Sequence, residues 1–259
     1  MLSIEIKNHK NEVLSITQNP AYTIMSVTGL NPAAANINTV DAALQDGATF
    51  NSSKVGMRNI VINFVIENPA EINRIALYRY IKPKKSCTVY VKNGSRDVYI
   101  PCYVETLDID LFENKQAAQI SLLCTKPYFL GVETNEVTAD NATFAVENSG
   151  DIETGAIFTL TATGGAIVNP TITNFDTGEI FKINYTIPAG AELTVNTNQG
   201  QKGVYLTNSG VVTNLINYVD SSSVWLQLDT GSNNFVCSSD SGMEYWACTV
   251  VFNSKFEGV

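Results

Sequence analysis

Residues 107–129 read LDIDLFENKQAAQISLLCTKPYF, and this stretch decides the fold class. In its first part, aliphatic residues alternate with Asp108 and Asp110, which is the period of a half-buried β-strand. A polar break at Glu113–Gln116 separates this run from a second strand-like run, Ala117–Cys124. We therefore predict a β-hairpin, which makes β-structure the basis of this part of the chain.

The composition of the chain changes where this hairpin ends. Residues 1–130 carry 13 Lys/Arg and 11 Asp/Glu, whereas residues 131–259 carry 3 and 14. We therefore predict two domains, 1–130 and 131–259, joined by a hinge at Pro127-Tyr128-Phe129. The second half is a poor nucleic-acid binder by itself, because contact with phosphates requires cations.

The second half consists of short strand-like runs separated by turn residues. Turns are marked by pairs and triplets such as Gly164-Gly165 and Asn208-Ser209-Gly210. Turn signals at intervals of roughly 8–12 residues are typical of antiparallel sandwiches and jelly rolls. We predict a C-terminal antiparallel β-sandwich over residues 131–259, of the jelly-roll or galectin-like type.

The first half is predicted to be a β domain with one short helix. Arg58–Ile66 has the alternation of a strong strand, and the polar run Asn51–Gly56 before it is predicted to be a loop. The helix is predicted near residues 69–80, with Asn68 as its N-cap. Ile72 lies on one stripe of this helix together with Ile75, Ala76 and Arg79.

Residues that could carry catalysis or bind a metal are scarce. His9 is the single histidine, and the five cysteines show no CxxC spacing, so neither a catalytic triad nor a zinc site is predicted. The cysteines are expected to be reduced core residues. No apolar run approaches the ~18 residues of a membrane span. We predict a non-enzyme with no cofactor, no metal site and no membrane association.

Asp108 and Asp110 allow other interpretations. Paired carboxylates can hydrolyse glycosides, and Asp-x-Asp begins a calcium loop, although Glu113 stands where that loop requires glycine. The alternation favours a third interpretation, in which both side chains lie on the solvent or interface face of a sheet. Such charges can also prevent uncontrolled pairing of an edge strand.

One cationic cluster follows the predicted helix. Its members are Arg74, Arg79, Lys82, Lys84, Lys85, Lys92 and Arg96. The cluster is a solvated helix end, an interface for acidic partners or a surface that faces DNA. No aromatic interleaving or recognition motif points to sequence-specific nucleic-acid binding.

A group of aromatic residues in the second half also has two interpretations. It consists of Tyr218, Trp225, Tyr245 and Trp246. Aromatic rings can stack on sugars, but in sandwich strands they more often belong to the core. A carbohydrate-binding protein that recognises the host cell wall is therefore the alternative function.

Several motifs of the first half follow one another in a distinctive order: Asp46-Gly47, Arg58 with the Ile60–Ile66 strand, the short helix Pro69–Tyr80, Lys82-Pro83 and the hairpin up to Phe129. The second half contains a further series: Asn148–Thr154, Asn169–Asn174 with Thr177-Gly178, Ala189–Val195, Trp225–Leu228 with Gly231–Asn233, and Phe256–Val259. In both halves this order of motifs resembles the distal tail proteins of long-tailed, siphovirus-type bacteriophages.

The resemblance implies a structural virion protein that is assembled in the bacterial cytoplasm. It implies a homo-hexameric ring, built by the first domain around a channel for DNA and the tape measure protein. Its partners would be the tail tube protein, the tail hub or tip protein and, in some relatives, receptor-binding proteins. The second domain would lie at the periphery. We expect the ring or partner interface to use Arg74, Arg79, Lys82, Lys84, Lys85, Asp108 and Asp110.

Overall fold

A computed structural model describes residues 2–41, 43, 46–113, 115–140 and 142–259. The chain forms two compact units: Met1–Val132 with Phe256–Val259, and Glu133–Lys255. The predicted division assigned residues 256–259 to the second domain, whereas these four residues pack with the first unit.

The described residues of the first unit form strands and one α-helix. The elements are β1 (Ser3–Asn8), β2 (Val13–Ser15), β3 (Tyr22–Thr28), β4 (Ala35–Asp41), β5 (Ala48–Val55), β6 (Arg58–Ile66), α1 (Ala70–Tyr80), β7 (Ser86–Lys92), β8 (Asp97–Ile109), β9 (Gln116–Cys124) and β10 (Phe129–Gly131).

The main sheet of the first unit follows the order β2-β1-β7-β8-β9-β6-β3, and its neighbouring strands are antiparallel. Its strands alternate between buried and outward-facing residues, as in β6, where Ile60, Ile62 and Phe64 are fully buried. The predicted strand Arg58–Ile66 is thus confirmed, and it supplies the centre of the core.

The hairpin of residues 107–129 is present, with two differences from the prediction. Its first strand is longer, because β8 runs without interruption from Asp97 to Ile109 across a register shift between Val104 and Thr106. Asn114, at the predicted turn, lies outside the described residues. The hinge was predicted at residues 127–129, but Phe129 is fully buried in the core of the first unit.

The helix α1 is present, but its N-terminus and its buried side differ from the prediction. Pro69, instead of Asn68, is the N-cap, and no side chain caps the helix. Leu77 is the buried residue, whereas Ile72 and Ile75 are 66% and 58% exposed. The helix is fixed on the Leu77 side, where the hydroxyl of Tyr22 also donates a hydrogen bond to the Asn73 carbonyl at 3.0 Å. The predicted apolar stripe therefore faces solvent.

The second unit consists of short strands and two 3₁₀ turns, Ile216–Tyr218 and Met243–Tyr245. Its strands are β11 (Asn135–Ala139), β12 (Thr143–Asn148), β13 (Thr154–Gly155), β14 (Ile157–Ala162), β15 (Ile167–Val168), β16 (Thr171–Asn174), β17 (Ile180–Lys182), β18 (Thr186–Ile187), β19 (Glu192–Asn196), β20 (Gly203–Asn208), β21 (Val211–Asn214), β22 (Gln227–Leu228), β23 (Gly231–Ser238) and β24 (Trp246–Phe252). The strand β25 (Lys255–Phe256) stands where the chain returns to the first unit.

Two sheets of the second unit share one core. Their strand orders are β11-β24-β14-β19-β20-β21 and β12-β23-β16-β17. Phe158 of the first sheet and Phe235 of the second pack edge to face, with ring centroids 5.5 Å apart. The predicted fold class, mainly β with two domains and a sandwich in the second half, is confirmed. The galectin-like comparison stays a prediction.

All five cysteines are buried and unpaired, as expected from their apolar surroundings. Burial raises the pKa of Cys87 to about 12. The reactive thiolate of Cys87 is therefore scarce near neutral pH. All five cysteines serve as small core side chains.

Asn233 stabilises the turn before β23 from within the second unit, where it is 2% exposed. Its Oδ1 accepts the Asp229 N–H at 2.8 Å, and its Nδ2 donates to the carbonyls of Asp229 and Gly231 at 2.8 and 3.0 Å. An apolar side chain of similar size would leave these backbone groups without their partner.

We expect Asn233→Leu to reduce the free energy of unfolding by about 2–4 kcal/mol, because several buried polar groups lose their hydrogen bonds at once. Chemical denaturation of the full chain measures this loss. Asn217→Leu, on an exposed residue, is the matched control and should change stability little. Equal effects of the two substitutions would contradict this role of Asn233.

Candidate interaction surfaces

Arg58 is a buried guanidinium at the start of β6, only 3% exposed. It donates to four backbone carbonyls: Gly29 and Asn31 at 2.6 Å, Pro127 at 2.7 Å and Glu257 at 2.5 Å. Burial lowers the pKa of Arg58. Four of its five N–H groups are thus satisfied by carbonyls that come from three distant parts of the chain.

The last four residues are held by Arg58 and by a second arginine. Arg96 lies over the ring of Phe256, 4.7 Å from its centroid, and donates to the Gly258 carbonyl at 2.5 Å. The Val259 N–H donates to the Leu30 carbonyl at 3.1 Å. Sequence reasoning missed this arrangement, because backbone carbonyls as partners leave no residue pattern. A signal was present in Arg58, which stands at the head of the strand face that otherwise carries Ile60, Ile62, Phe64 and Ile66.

The strands β4 and β5 pair only with each other and form a separate two-stranded arm. Ile37, Val40 and Phe50 on this arm are 63%, 56% and 63% exposed. The prediction of a loop at Asn51–Gly56 was wrong, since β5 extends to Val55. An isolated hairpin is at best marginally stable in water, so an arm with exposed apolar side chains is a candidate contact surface for another chain.

The predicted cationic cluster separates into members with different surroundings. Arg79 forms an ion pair with Glu12, and hydrogen bonds from Arg79 and Asn8 lower the pKa of Glu12 to about 2. Lys92 pairs with Asp97, and Arg96 is engaged with the C-terminal residues. Arg74 is half-buried, and its guanidinium lies 5.9 Å from the centroid of the Tyr78 ring.

Three cations of the cluster remain on the surface and form what we call the lysine loop: Lys82, Lys84 and Lys85. All three are exposed, and no ion pair in the described part of the chain involves them. The loop is anchored by its backbone, since Lys84 N–H donates to the Val104 carbonyl at 2.9 Å and Val104 N–H donates to the Lys85 carbonyl at 3.0 Å. Its charges are therefore displayed on a fixed backbone.

The exposed apolar residues of α1 lie next to this loop in sequence and form what we call the helix face. It consists of Ile72, Ile75 and Tyr78, which are 66%, 58% and 42% exposed. A scattered exposed isoleucine is ordinary, but three large exposed apolar side chains, each three residues from the next along one helix, make an apolar patch.

The turn between β8 and β9 carries the two predicted aspartates and an apolar pair. Asp108 is exposed and lies opposite Gln119 in the sheet. The side chain of Asp110 accepts the Phe112 N–H at 3.1 Å, which shapes the turn. Leu111 and Phe112 are 48% and 99% exposed. We call the described residues 108 and 110–113 the acidic tip.

The structure does not bring the two predicted sets of interface residues together within one chain. None of the hydrogen bonds or ion pairs of the described residues joins the acidic tip to the helix face or the lysine loop. Their role at an interface therefore stays a prediction.

The described residues contain neither a metal-binding cluster nor a membrane-spanning helix. They contain no group of three or more His, Cys, Asp or Glu side chains placed to hold a metal ion. In the same part of the chain, no helix is long and apolar enough to cross a membrane.

The aromatic residues considered for sugar binding do not form one open platform. Trp246 is 7% exposed, and Trp225 packs against Phe181 with ring centroids 5.0 Å apart. Tyr218 packs on Tyr185 at 5.0 Å. The two tryptophans thus contribute mainly to packing in the second unit.

Both halves of the chain match models of phage tail proteins. Residues 9–124 match the phage tail protein RIFT-related domain, and residues 149–256 match the C-terminal domain of the siphovirus-type tail component. The chain belongs to the distal tail proteins of siphovirus-type phages. No curated protein matches it in sequence.

Solved structures of phage tail proteins share the fold. The crystal structure of the Dit protein (gp 19.1) of phage SPP1 covers 99% of both chains with a TM-score of 0.75 at 12% identity. That protein is described as a paradigm of the hub adsorption apparatus in phages that infect Gram-positive bacteria. A chain of the phage P2 baseplate, in its activated conformation with calcium, covers 100% of both chains with a TM-score of 0.53 at 8% identity.

The distal tail assignment makes this chain a structural component of the virion. The matched family models and the similar solved structures are those of phage tail and baseplate proteins. The predicted family and the predicted virion location are thereby confirmed.

Proposed function

We propose that this chain forms a hexameric ring that joins the distal end of the tail tube to the tail hub or baseplate. The first unit would build the ring around the channel for DNA and the tape measure protein. The second unit would lie at its periphery, within reach of receptor-binding proteins. Catalysis has no part in this function.

The observation that carries the proposal is the unsupported arm formed by β4 and β5. It exposes Ile37, Val40 and Phe50 and pairs with no other strand of the described chain. Ring closure requires each subunit to offer one surface and to receive a different one. An arm that pairs with no other described strand and exposes large apolar side chains is suited to be the offered surface.

The charge distribution supports the same arrangement. The first half is nearly neutral, with 13 Lys/Arg and 11 Asp/Glu, whereas the second half has 3 and 14. Acidic second units would repel one another in a compact cluster, which favours a peripheral position where they are well separated. Nearly neutral first units can approach closely without this cost.

We expect the purified chain to assemble to a mass near six times 28.1 kDa and to appear as a six-fold ring in negative stain. The double substitution Ile37→Ser with Phe50→Ser should abolish this species without unfolding the chain, because both side chains are exposed. Light scattering coupled to size exclusion measures the mass, and circular dichroism confirms the fold.

The matched control removes equally exposed apolar side chains from the second unit. Val211→Ser with Val212→Ser changes residues that are 65% and 63% exposed on β21, and the hexamer should persist. Two results together would contradict the ring: a purified chain that stays monomeric at all concentrations, and phage tails that lack a six-fold ring of this chain.

A further inference from the structure

Two uncovered surfaces of the first unit are complementary in both polarity and charge. The acidic tip has Leu111 and Phe112 at its centre, 48% and 99% exposed. The helix face has Ile72 and Ile75 at its centre, 66% and 58% exposed. In the single chain, both apolar centres are exposed to water, so burying them against another surface is favourable.

The charges around these two centres have opposite signs. The tip carries Asp108, Asp110 and Glu113, all exposed, together with Lys115. The helix face continues into the lysine loop, whose cations have no ion-pair partner among the described residues. Arg79 contributes little, since Glu12 already pairs with it. An apolar centre with a charged rim is the usual anatomy of a protein interface.

We infer that the acidic tip of one copy docks on the helix face and lysine loop of a second copy of this chain. This inference rests on the proposed ring and identifies a contact that builds it. Leu111 and Phe112 pack on Ile72 and Ile75, and the tip carboxylates lie beside the lysine loop.

The signs of the charges decide between the two ways in which copies could pair. A two-fold contact of tip with tip, or of helix face with helix face, would place like charges together. Contact of the tip with the helix face pairs opposite charges and uses different surfaces of each copy. Such a head-to-tail contact propagates from copy to copy and closes into a ring when the rotation fits.

The acidic tip is already shaped for docking in the single chain. The hydrogen bond from the Phe112 N–H to the Asp110 side chain, 3.1 Å long, fixes the turn that presents the aromatic ring. On the receiving side, the lysine loop is anchored to Val104 through its backbone. Preorganised surfaces lose less conformational entropy on binding, so more of the contact energy stabilises the assembly.

Cysteine cross-linking tests the contact directly. We expect the chain with Phe112→Cys and Ile75→Cys to form, on mild oxidation, a ladder of covalent oligomers that ends at six and collapses with reductant. The five native cysteines are buried and do not interfere. Each single variant should form no ladder, and neither should the matched pair Phe112→Cys with Val211→Cys.

The outcomes separate this inference from the ring itself. A hexamer by light scattering without a cross-linked ladder overturns the docking contact and leaves the ring standing. A ladder that stops at the dimer also overturns the head-to-tail contact. A wild-type chain that never exceeds one copy, alone or in tails, overturns the ring and the contact with it.

Charge reversal gives an independent readout. Asp108→Lys with Glu113→Lys, or Lys82→Glu with Lys85→Glu, should each weaken association about tenfold per interface. Because the contact joins different surfaces, an equimolar mixture of the two variants should regain hexamers. Two variants that assemble as well as wild type, or a mixture that stays dissociated, would overturn the charge pairing.

Discussion

Replacing Arg58 with methionine is expected to destabilise the first unit by about 3–5 kcal/mol, the largest effect of any single substitution considered. The side chain is 3% exposed and holds four backbone carbonyls, so methionine fills the space but donates no hydrogen bond. The guanidinium also lies over the Phe129 ring, 4.6 Å from its centroid, and that contact is lost too.

Hydrogen exchange followed along the chain measures this effect where it arises. Protection should fall first at the start of β6, at residues 29–31 and at the C-terminus, because these segments meet at Arg58. Arg58→Lys should rescue little, since one ammonium cannot reach four carbonyls in this geometry. Arg79→Met is the control, as its side chain is 69% exposed. Uniform loss of protection over both units would contradict a local role.

Deletion of Phe256–Val259 is expected to destabilise the first unit by about 2–4 kcal/mol. In sequence, the whole second unit separates these residues from the rest of the first unit. The deletion removes the carbonyl acceptors that Glu257 offers to Arg58 and Gly258 offers to Arg96. It also removes the Phe256 ring beneath Arg96, at 4.7 Å. Two buried or half-buried cations would lose partners at the same time.

Comparison with a side-chain substitution separates backbone from side-chain contributions. Glu257→Ala keeps the backbone carbonyl that Arg58 uses, so it should cost much less than the deletion. The deletion combined with Arg58→Met should cost less than the sum of the two, because both remove the same hydrogen bond. Chemical denaturation provides these values. Strict additivity would show that Arg58 and the C-terminus act independently.

The hairpin of residues 107–129 shows which structural features follow from alternation and which do not. Alternation correctly predicted strands on either side of the turn, since a strand with one buried face must repeat every two residues. The pattern did not show that residues 97–109 form one continuous strand, because Glu105 interrupts the alternation where the register shifts. It also could not show that Phe129, expected in a hinge, is buried beneath Arg58.

The loop prediction for the arm and the core-face prediction for α1 were wrong, and both errors concern apolar surfaces that stay uncovered in the single chain. The polar run Asn51–Gly56 resembled a loop because β5 has exposed residues on both faces, so it shows no alternation. The apolar stripe of α1 resembled a core face, yet Ile72 and Ile75 are exposed. Periodicity identifies an apolar face of an element, but it does not state whether the covering surface belongs to the same chain or to another.

The interface role of the predicted residues stays a prediction, but the structure describes their surroundings. Asp108, Asp110 and the three lysines of the loop are exposed, as an interface requires. The structure altered the set in two ways. Arg79 is engaged by Glu12 within the chain, and Phe112, absent from the predicted set, is the most exposed large apolar side chain among the described residues, at 99%. A single phenylalanine in a polar turn gives no periodic signal, so its importance becomes visible only from its exposure.

The sequence by itself determined the class of this protein: two β-rich units, one short helix, reduced cysteines and the order of motifs that marks a distal tail protein. These properties follow from local periodicity, turn residues and composition, which act over a few residues. Only the tertiary structure decided what Arg58 binds, where residues 256–259 pack and which apolar faces remain uncovered. Those outcomes depend on backbone groups brought together from distant parts of the chain. Because every residue has a backbone carbonyl, residue type does not indicate which carbonyls will meet.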